Sequence, residues 1–277
     1  MTFRSYLTLT CLGAATASAQ EVPQTLTPLV VSDRAAVLAR QRFAAIAESI
    51  PAAQISETIN AVDAEDALKY FPSIFLRKRN NGDTQAVMGT RVWGVSSSAR
   101  SLIFADGVPL SALIANNNSL GGPRWGLVSP TEIEHIDVLY GPFSSAYAGN
   151  SIGAVVEITT RQPNKLEAGL THTQAWQHFR QYGTRGDYRT QQTAVVVGNR
   201  VGRLSFWVSA HLQDSESQPL SYITSTAFPA GTSGAFGAFN KLGAPANVVG
   251  SGGLTHNDMT TAKIKVRYDF PSGVRAT

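Results

Sequence analysis

Two stretches near the C-terminal end of the sequence alternate strictly. From Arg203 to Gln213, Leu204, Phe206, Val208, Ala210 and Leu212 share one face, and Arg203, Ser205, Trp207, Ser209, His211 and Gln213 share the other. From Thr261 to Phe270, Ala262, Ile264, Val266, Tyr268 and Phe270 face one way, and Lys263, Lys265, Arg267 and Asp269 the other. Neighbouring side chains of a strand point to opposite sides. A period of two over about ten residues, apolar on one face and charged on the other, predicts strands with one side on lipid and one on a polar lumen. A half-buried soluble strand shows the same alternation, so the connections matter. Asn199-Arg200-Val201-Gly202 and Pro271-Ser272-Gly273 are tight turns. Asp214 to Asn257 is a long loop rich in Gly, Ser, Ala and Asn. Phe179 to Arg189 is a middling loop between weaker strands at 167–178 and 190–198. Short and long connections in turn match a membrane barrel. Residues 164–277 are therefore read as about four transmembrane strands, up, down, up and down.

Upstream the periodicity is mixed, and residues 55–163 are read as a small α+β domain. Ser56-Glu57-Thr58 and Asp63-Ala64-Glu65-Asp66 carry helix-start chemistry, with a short helix through Ala67, Leu68 and Tyr70 that Pro72 ends. Short apolar runs at Ile74–Leu76, Ala86–Met88, Ser101–Phe104, Glu134–Tyr140 and Val155–Thr160 predict strands. Residues 20–54 are a polar, proline-broken lead-in. In it, Leu29, Val30 and Val31 form an apolar island of the kind a partner protein adds to its own sheet.

The first residues add a compartment. Arg4, the apolar run Leu7 to Ala15 and Ala17-Ser18-Ala19 read as a secretory signal peptide, residues 1–19. The sole cysteine, Cys11, lies within it, which excludes a disulfide framework and a thiolate zinc site in the mature chain. Charged residues make up 15% of the chain, low for a soluble domain, and the net charge of +4 is too mild for a nucleic-acid partner.

Candidate chemistry is thin. Gly141 to Gly153 lacks the Gly-Lys-Ser/Thr of a phosphate loop. Ser151, in Gly149-Asn150-Ser151-Ile152-Gly153, has the spacing of a nucleophile elbow. A β-branched run follows it where that motif needs a helix. The five histidines have no metal-ligand spacing. His211 is read as lumen-lining, and His172 and His178 as sharing its direction. Glu132 and Glu134 share a strand face, and arginines are their expected partners. No catalytic residue, metal or cofactor is expected.

The stretches "DALKYFPSIFLRKR" (66–79), "RSLIFADGVPL" (100–110) and "EIEHIDVLYGPFSSAYAGNSIGAVVEITTR" (132–161) resemble the plug domain of TonB-dependent outer-membrane receptors. "TLTPLVVSDR" (25–34) sits where that family carries its energy-coupling box, near 26–33 here, with Pro28 and Ser32 departing from the usual pattern. The resemblance implies a plugged barrel of about 22 strands in the outer membrane of a Gram-negative cell. It also implies import of a scarce ligand such as a ferric siderophore. The partners it implies are a TonB-type inner-membrane protein, acting on Leu29, Val30 and Val31, outer-membrane lipid, and a small ligand such as a metal chelate. Ligand contacts are expected on outer loops of the plug, at Arg77, Arg79, Asn81, Trp93, Asn117 and Trp125. Gly141, Pro142, Gly149 and Gly153 are expected to let the chain fold back tightly inside the wall. Four strands cannot close a barrel, so a complete receptor would need about 400 further residues. The alternatives are a periplasmic plug-like interaction module, a non-functional fragment of such a receptor, and a secreted hydrolase using Ser151.

Overall fold

The computed structural model describes residues 47–90, 100–111, 122–141, 147, 149, 151–228, 230–231 and 233–277. The signal peptide, the coupling island Leu29–Val31, Trp93, Asn117 and Pro142 lie outside the described residues.

The α+β part is built on a five-stranded sheet, in the order β1-β6-β7-β4-β5. Its strands are β1 (Ala47–Pro51), β4 (Leu102–Ala105), β5 (Val108–Pro109), β6 (Ile133–Tyr140) and β7 (Ala154–Thr160). β4 and β7 run parallel and the other pairs antiparallel. β2 (Ile74–Arg77) and β3 (Val87–Thr90) form a separate hairpin. One sheet face supplies Ile136, Val138, Tyr140, Val156 and Ile158 to a core that also takes Leu68, Met88 and Trp125.

Two local readings change. β1 lies in the stretch read as lead-in; only Ile50 of its five residues is buried, which leaves almost no apolar pattern. Ser56 and Thr58 close a helix rather than open one. Helix α1 (Ala52–Thr58) has Pro51 as its N-cap, and the two hydroxyls donate back to the Ala53 and Gln54 carbonyls. Asp63 and Asp66 do form a reciprocal capping box around a 3₁₀ turn, Ala64–Leu68.

The second part is a sheet of long antiparallel strands, the wall, in the order β15-β14-β10-β9-β8. It comprises β8 (Glu167–Gln181), β9 (Thr184–Val201), β10 (Leu204–Glu216), β14 (His256–Asp269) and the short β15 (Arg275–Ala276). The alternation read from the sequence holds, and its burial runs opposite to that of a soluble sheet. Ile264 is 73% exposed and Leu212 49%, whereas Gln213 is 2% exposed and Ser215 fully buried against the α+β part. An apolar face outward and a polar face inward is the arrangement of a membrane wall.

The connections of the wall correct three expectations. Phe179 to Arg189 is not a loop: β8 and β9 pair through it, from Phe179↔Gly186 to Gln181↔Thr184. Only Tyr182 and Gly183 turn, both at positive φ (47° and 72°), as a two-residue hairpin requires. The long loop after β10 holds its own sheet, β11 (Ser221–Ser225), β12 (Phe236–Phe239) and β13 (Pro245–Gly252), in the order β11-β13-β12. His172 and His178 are exposed on the outward face, paired with Thr193 and Asp187, while His211 is buried on the inward face. The two outward histidines lie opposite residues of β9 whose parity matches Val195 and Val197, and that parity sets their direction.

Candidate functional site

The β2–β3 connection is held from both sides. Inside the loop, Asp83 accepts from the Arg79 backbone N–H at 2.9 Å, from Arg79 Nε at 2.9 Å and Nη2 at 2.7 Å, and from the Gln85 N–H at 3.1 Å. Burial alone would raise the Asp83 carboxyl, but the hydrogen bonds from Arg79 outweigh it and hold it below the ordinary carboxylate range. From outside the loop, wall side chains satisfy its carbonyls. The Arg79 carbonyl accepts from Gln218 (2.7 Å), that of Asn81 from Ser215 (2.6 Å) and Thr190 (3.2 Å), and that of Gly82 from Gln213 (2.6 Å) and Asn257 (3.2 Å). Buried loop carbonyls lack a ladder partner and need these donors. Gly82 is required twice: its φ is +71°, and a Cβ there would stand 2.7 Å from Ser215 Cβ.

Below this loop is an ionic cluster. Asp63, Glu65 and Asp66, all buried, surround the Lys78 ammonium, with Glu65 Oε1 at 3.4 Å and Asp66 Oδ2 at 3.2 Å. Burial would lower Lys78, but Glu65, Asp63 and Asp66 raise it above the ordinary lysine value. Burial raises Glu65 well above the usual carboxylate range, Lys78 opposing. Asp66 moves down, because Lys78 and Lys69 overcome its burial. Gln192 of the wall donates to Asp63 Oδ1 at 3.0 Å.

Two wall lysines complete the seam. Lys263 pairs with the buried Glu132, which also accepts from Ser209 Oγ at 2.6 Å, and donates to the Leu127 carbonyl at 2.6 Å. Lys265 reaches Asp106 Oδ2 at 3.1 Å and Thr160 Oγ1 at 3.0 Å. Between the parts lies a cavity of about 30 Å³ lined by Val62, Ser129, Thr131, Gln192 and His211. It has room for about one water molecule and is too small for a metal chelate.

The expected ligand residues separate. Arg77 is exposed at the end of β2, and the Asn81 side chain is exposed at the loop tip. The Arg79 guanidinium is committed to Asp83. Lys78, read with its neighbours as an anion attractor, turns inward to the acidic cluster. Trp125 is a core residue, fully buried with Nε1 donating to the Ala86 carbonyl at 2.8 Å, so its ring offers no surface to a ligand. A tryptophan beside a Pro/Gly-rich loop gives no sign of its own burial. Glu132 and Glu134 do not share a face: Glu132 sits in a 3₁₀ turn and is buried, Glu134 is exposed, and the partner of Glu132 is a lysine.

Among the fold-back glycines, a Cβ on Gly153 would meet Ser101 Oγ at 2.7 Å and the Arg100 carbonyl at 3.0 Å. Gly149 has open space around it, so close packing does not require it. The Gly141 N–H donates to the Gly153 carbonyl at 3.4 Å, closing the fold-back. Ser151 is followed within three residues by β7 rather than a helix. Sequence reasoning missed Phe179 and Tyr188, an edge-to-face pair at 6.3 Å on the inward side of β8 and β9. Tyr188 lies one inward step beyond Thr190, which holds Asn81. The inward parity of Thr190 and Gln192 was the signal that would have found them. Among the described residues no group of three acidic, His or Cys side chains fits a metal ion.

Residues 39–155 match the family model of the TonB-dependent receptor plug domain. The chain is 30% identical over 147 residues to the vitamin B12 transporter BtuB of Vibrio vulnificus, covering 53% of this chain and 22% of that protein. It is 29% identical over 171 residues to an iron-regulated outer membrane virulence protein of Vibrio cholerae, covering 59% and 24%. The chain thus spans about a quarter of the length of the curated relatives it matches. A ferric enterobactin receptor structure from Pseudomonas aeruginosa superposes with a TM-score of 0.50 at 19% identity, over 70% of this chain and 29% of that one, a likeness of fold. Plug match, plug fold and a wall with its apolar side outward agree: the chain carries the plug domain of TonB-dependent receptors, followed by antiparallel wall strands.

Proposed function

We propose that the chain gates the energy-coupled import of a ferric siderophore across the outer membrane. The observation that carries this reading is the chemistry of the seam. The plug keeps its apolar core to itself, and it meets the wall through Gln192–Asp63, Ser209 and Lys263 with Glu132, Lys265–Asp106, and side chains on loop carbonyls. Water can replace such partners one by one, at a net cost of about 1 kcal/mol for a neutral hydrogen bond and about 1.5–3 kcal/mol for one to a charged group. A seam of packed apolar side chains would have no such exchange. The plug is therefore separable from the wall without unfolding, which a gate needs.

In this reading a TonB-type protein adds Leu29, Val30 and Val31 to its sheet and pulls. Arg77, Asn81, Trp93 and Asn117 face the ligand from the plug. Phe179 and Tyr188 face it from the wall. An anionic chelate suits exposed arginine and amide donors held on a rigid scaffold.

The test is uptake in cells lacking the endogenous gene. Cells with the wild-type receptor should take up a radiolabelled ferric siderophore, and Val30→Pro should abolish uptake while leaving surface binding intact, because proline removes a ladder donor. Unchanged uptake in Val30→Pro excludes this coupling box. Uptake of labelled cobalamin in place of the iron chelate reassigns the ligand. A product recovered as a soluble periplasmic protein defeats the transporter reading in favour of an interaction module.

A further inference from the structure

We propose that Asp137 and Glu157 share one proton, and that this proton sets how firmly β1 is held to the plug sheet. The inference concerns the plug itself; its bearing on transport rests on the proposed pull through the lead-in. Asp137 on β6 lies directly opposite Glu157 on β7 and opposite Ser49 on β1, and Glu157 lies opposite Phe104 on β4. One row across the sheet therefore reads Ser49, Asp137, Glu157, Phe104. It stands on the face turned away from the main core, where Leu102, Leu139 and Val155 are buried with Phe104 and Tyr147 packed against them. Two carboxyl groups directly opposite in a sheet have their Cβ atoms about 5 Å apart, and as like charges they destabilise the pairing.

The surroundings do not neutralise two charges. Among the described residues no lysine or arginine stands within ion-pair distance of either carboxylate, and the cationic group at hand is His135, with Nε2 at 3.4 Å from Asp137 Oδ2. Asp137 is buried, and its Oδ1 has no hydrogen-bond partner. An ionised oxygen there has lost its water and gained no donor. A proton held between the two carboxyls supplies that donor, one OH facing one carboxylate. Burial first, and then Asp137, push the Glu157 carboxyl up, with His135 opposing. The Tyr147 phenol also faces the pair, and burial and the two acids keep it protonated. Glu48, the acid of β1, is opposite Val138 and belongs to the other face.

The proton is linked to β1 because β1 covers one flank of Asp137 through Ser49. When β1 peels from β6, water reaches Asp137. The doubly ionised pair gains from that hydration, and the protonated pair does not. Glu157 is raised in the folded plug, so its contribution is complete below the ordinary carboxylate range and is lost as pH rises through the raised value. β1 is thus held tightly in acid and released more readily toward neutral pH. It forms the edge of the sheet, paired with β6, and a pull on residues 29–31 reaches it before the other strands of that sheet.

The experiment is amide hydrogen exchange of the purified receptor between about pH 5 and pH 7.5, read by mass on the peptide that contains β1 and corrected for the intrinsic exchange rate. In the wild type, protection of β1 should fall about tenfold over that range, the factor that one unit of raised pKa supplies. Glu157→Gln and Asp137→Asn each place an amide donor opposite the remaining carboxylate, and both should keep protection level within about twofold. Glu65→Gln, whose carboxyl belongs to the cluster beneath the β2–β3 loop, should keep the wild-type fall. Level protection in the wild type overturns the proposal. So does a wild-type fall that persists in Glu157→Gln, a half-buried position that decides the question alone if Asp137→Asn unfolds the plug. Siderophore uptake is scored on the same variants: its failure in the wild type bears on the transport reading and leaves the exchange result standing.

Discussion

Gln192 Nε2 on wall strand β9 donates to Asp63 Oδ1 of the plug at 3.0 Å, and its other hydrogen bond runs to Gln213 Oε1 at 2.6 Å. One amide thus joins two wall strands to the acidic cap of the plug. Gln192→Leu keeps the bulk and removes the donor from a buried carboxylate. The plug of the purified receptor should lose about 1.5–3 kcal/mol, read by thermal unfolding. A change under 0.5 kcal/mol would show that Lys78 and the capping-box N–H of Asp66 satisfy Asp63 without it.

Lys263 and Glu132 form the strongest tie of the seam, since Glu132 is buried and its other side-chain partner is the Ser209 hydroxyl. Lys263→Met strands that carboxylate and should cost about 3–5 kcal/mol. Adding Glu132→Gln should recover most of the loss, giving a coupling of about 1–3 kcal/mol in a double-mutant cycle. Simple additivity would mean that the two residues do not depend on each other.

The acidic cluster predicts opposite pH limbs. Asp66 is held below its unfolded value, so its contribution is present above the ordinary carboxylate range and is lost as pH falls through its folded value. Glu65 is raised by burial, so its contribution is complete below the ordinary range and is lost as pH rises through its elevated folded value. Plug stability should therefore peak between the two and decline on the alkaline side. Glu65→Gln should flatten that alkaline decline and leave the acid limb in place, as followed by melting temperature across pH. An unchanged alkaline limb would remove Glu65 as its cause.

The fold-back glycines should divide. Gly153→Val drives side-chain atoms into Ser101 and the Arg100 carbonyl and should block plug folding. Gly149→Ala meets open space and should change stability by less than about 0.5 kcal/mol. Protease resistance of the plug in isolated membranes reads both. A protected Gly153→Val plug would refute the close approach.

Much of the architecture was legible because it depends on local periodicity. Leu204 to Gln213 and Thr261 to Phe270 sort correctly onto two faces, and the Asp63–Asp66 box marks a turn from four residues. The upper parts of β8 and β9 escaped, because above the apolar band both faces are polar and the backbone ladder, which has no sequence signature, holds the strands together. β1 escaped for the same reason. Of the ligand residues, Arg77 and Asn81 stand exposed to solvent. Arg79, Lys78 and Trp125 are turned to partners within the plug, which escaped because charge and aromaticity are visible in a sequence while direction is not.

The sequence by itself determined which side chains share a strand face, since the alternation follows from backbone geometry alone. It also carried the plug motif and the small residue that Gly153 must be. Only the tertiary structure decided what each face meets. Ser209, Gln213, Ser215, Lys263 and Lys265 are polar and buried, or partly so, because the plug supplies Glu132, Asp106 and loop carbonyls as partners from positions more than 50 residues away. Burial of a polar group is tolerated only where a partner waits, and partners that distant in the chain meet only once both parts have folded.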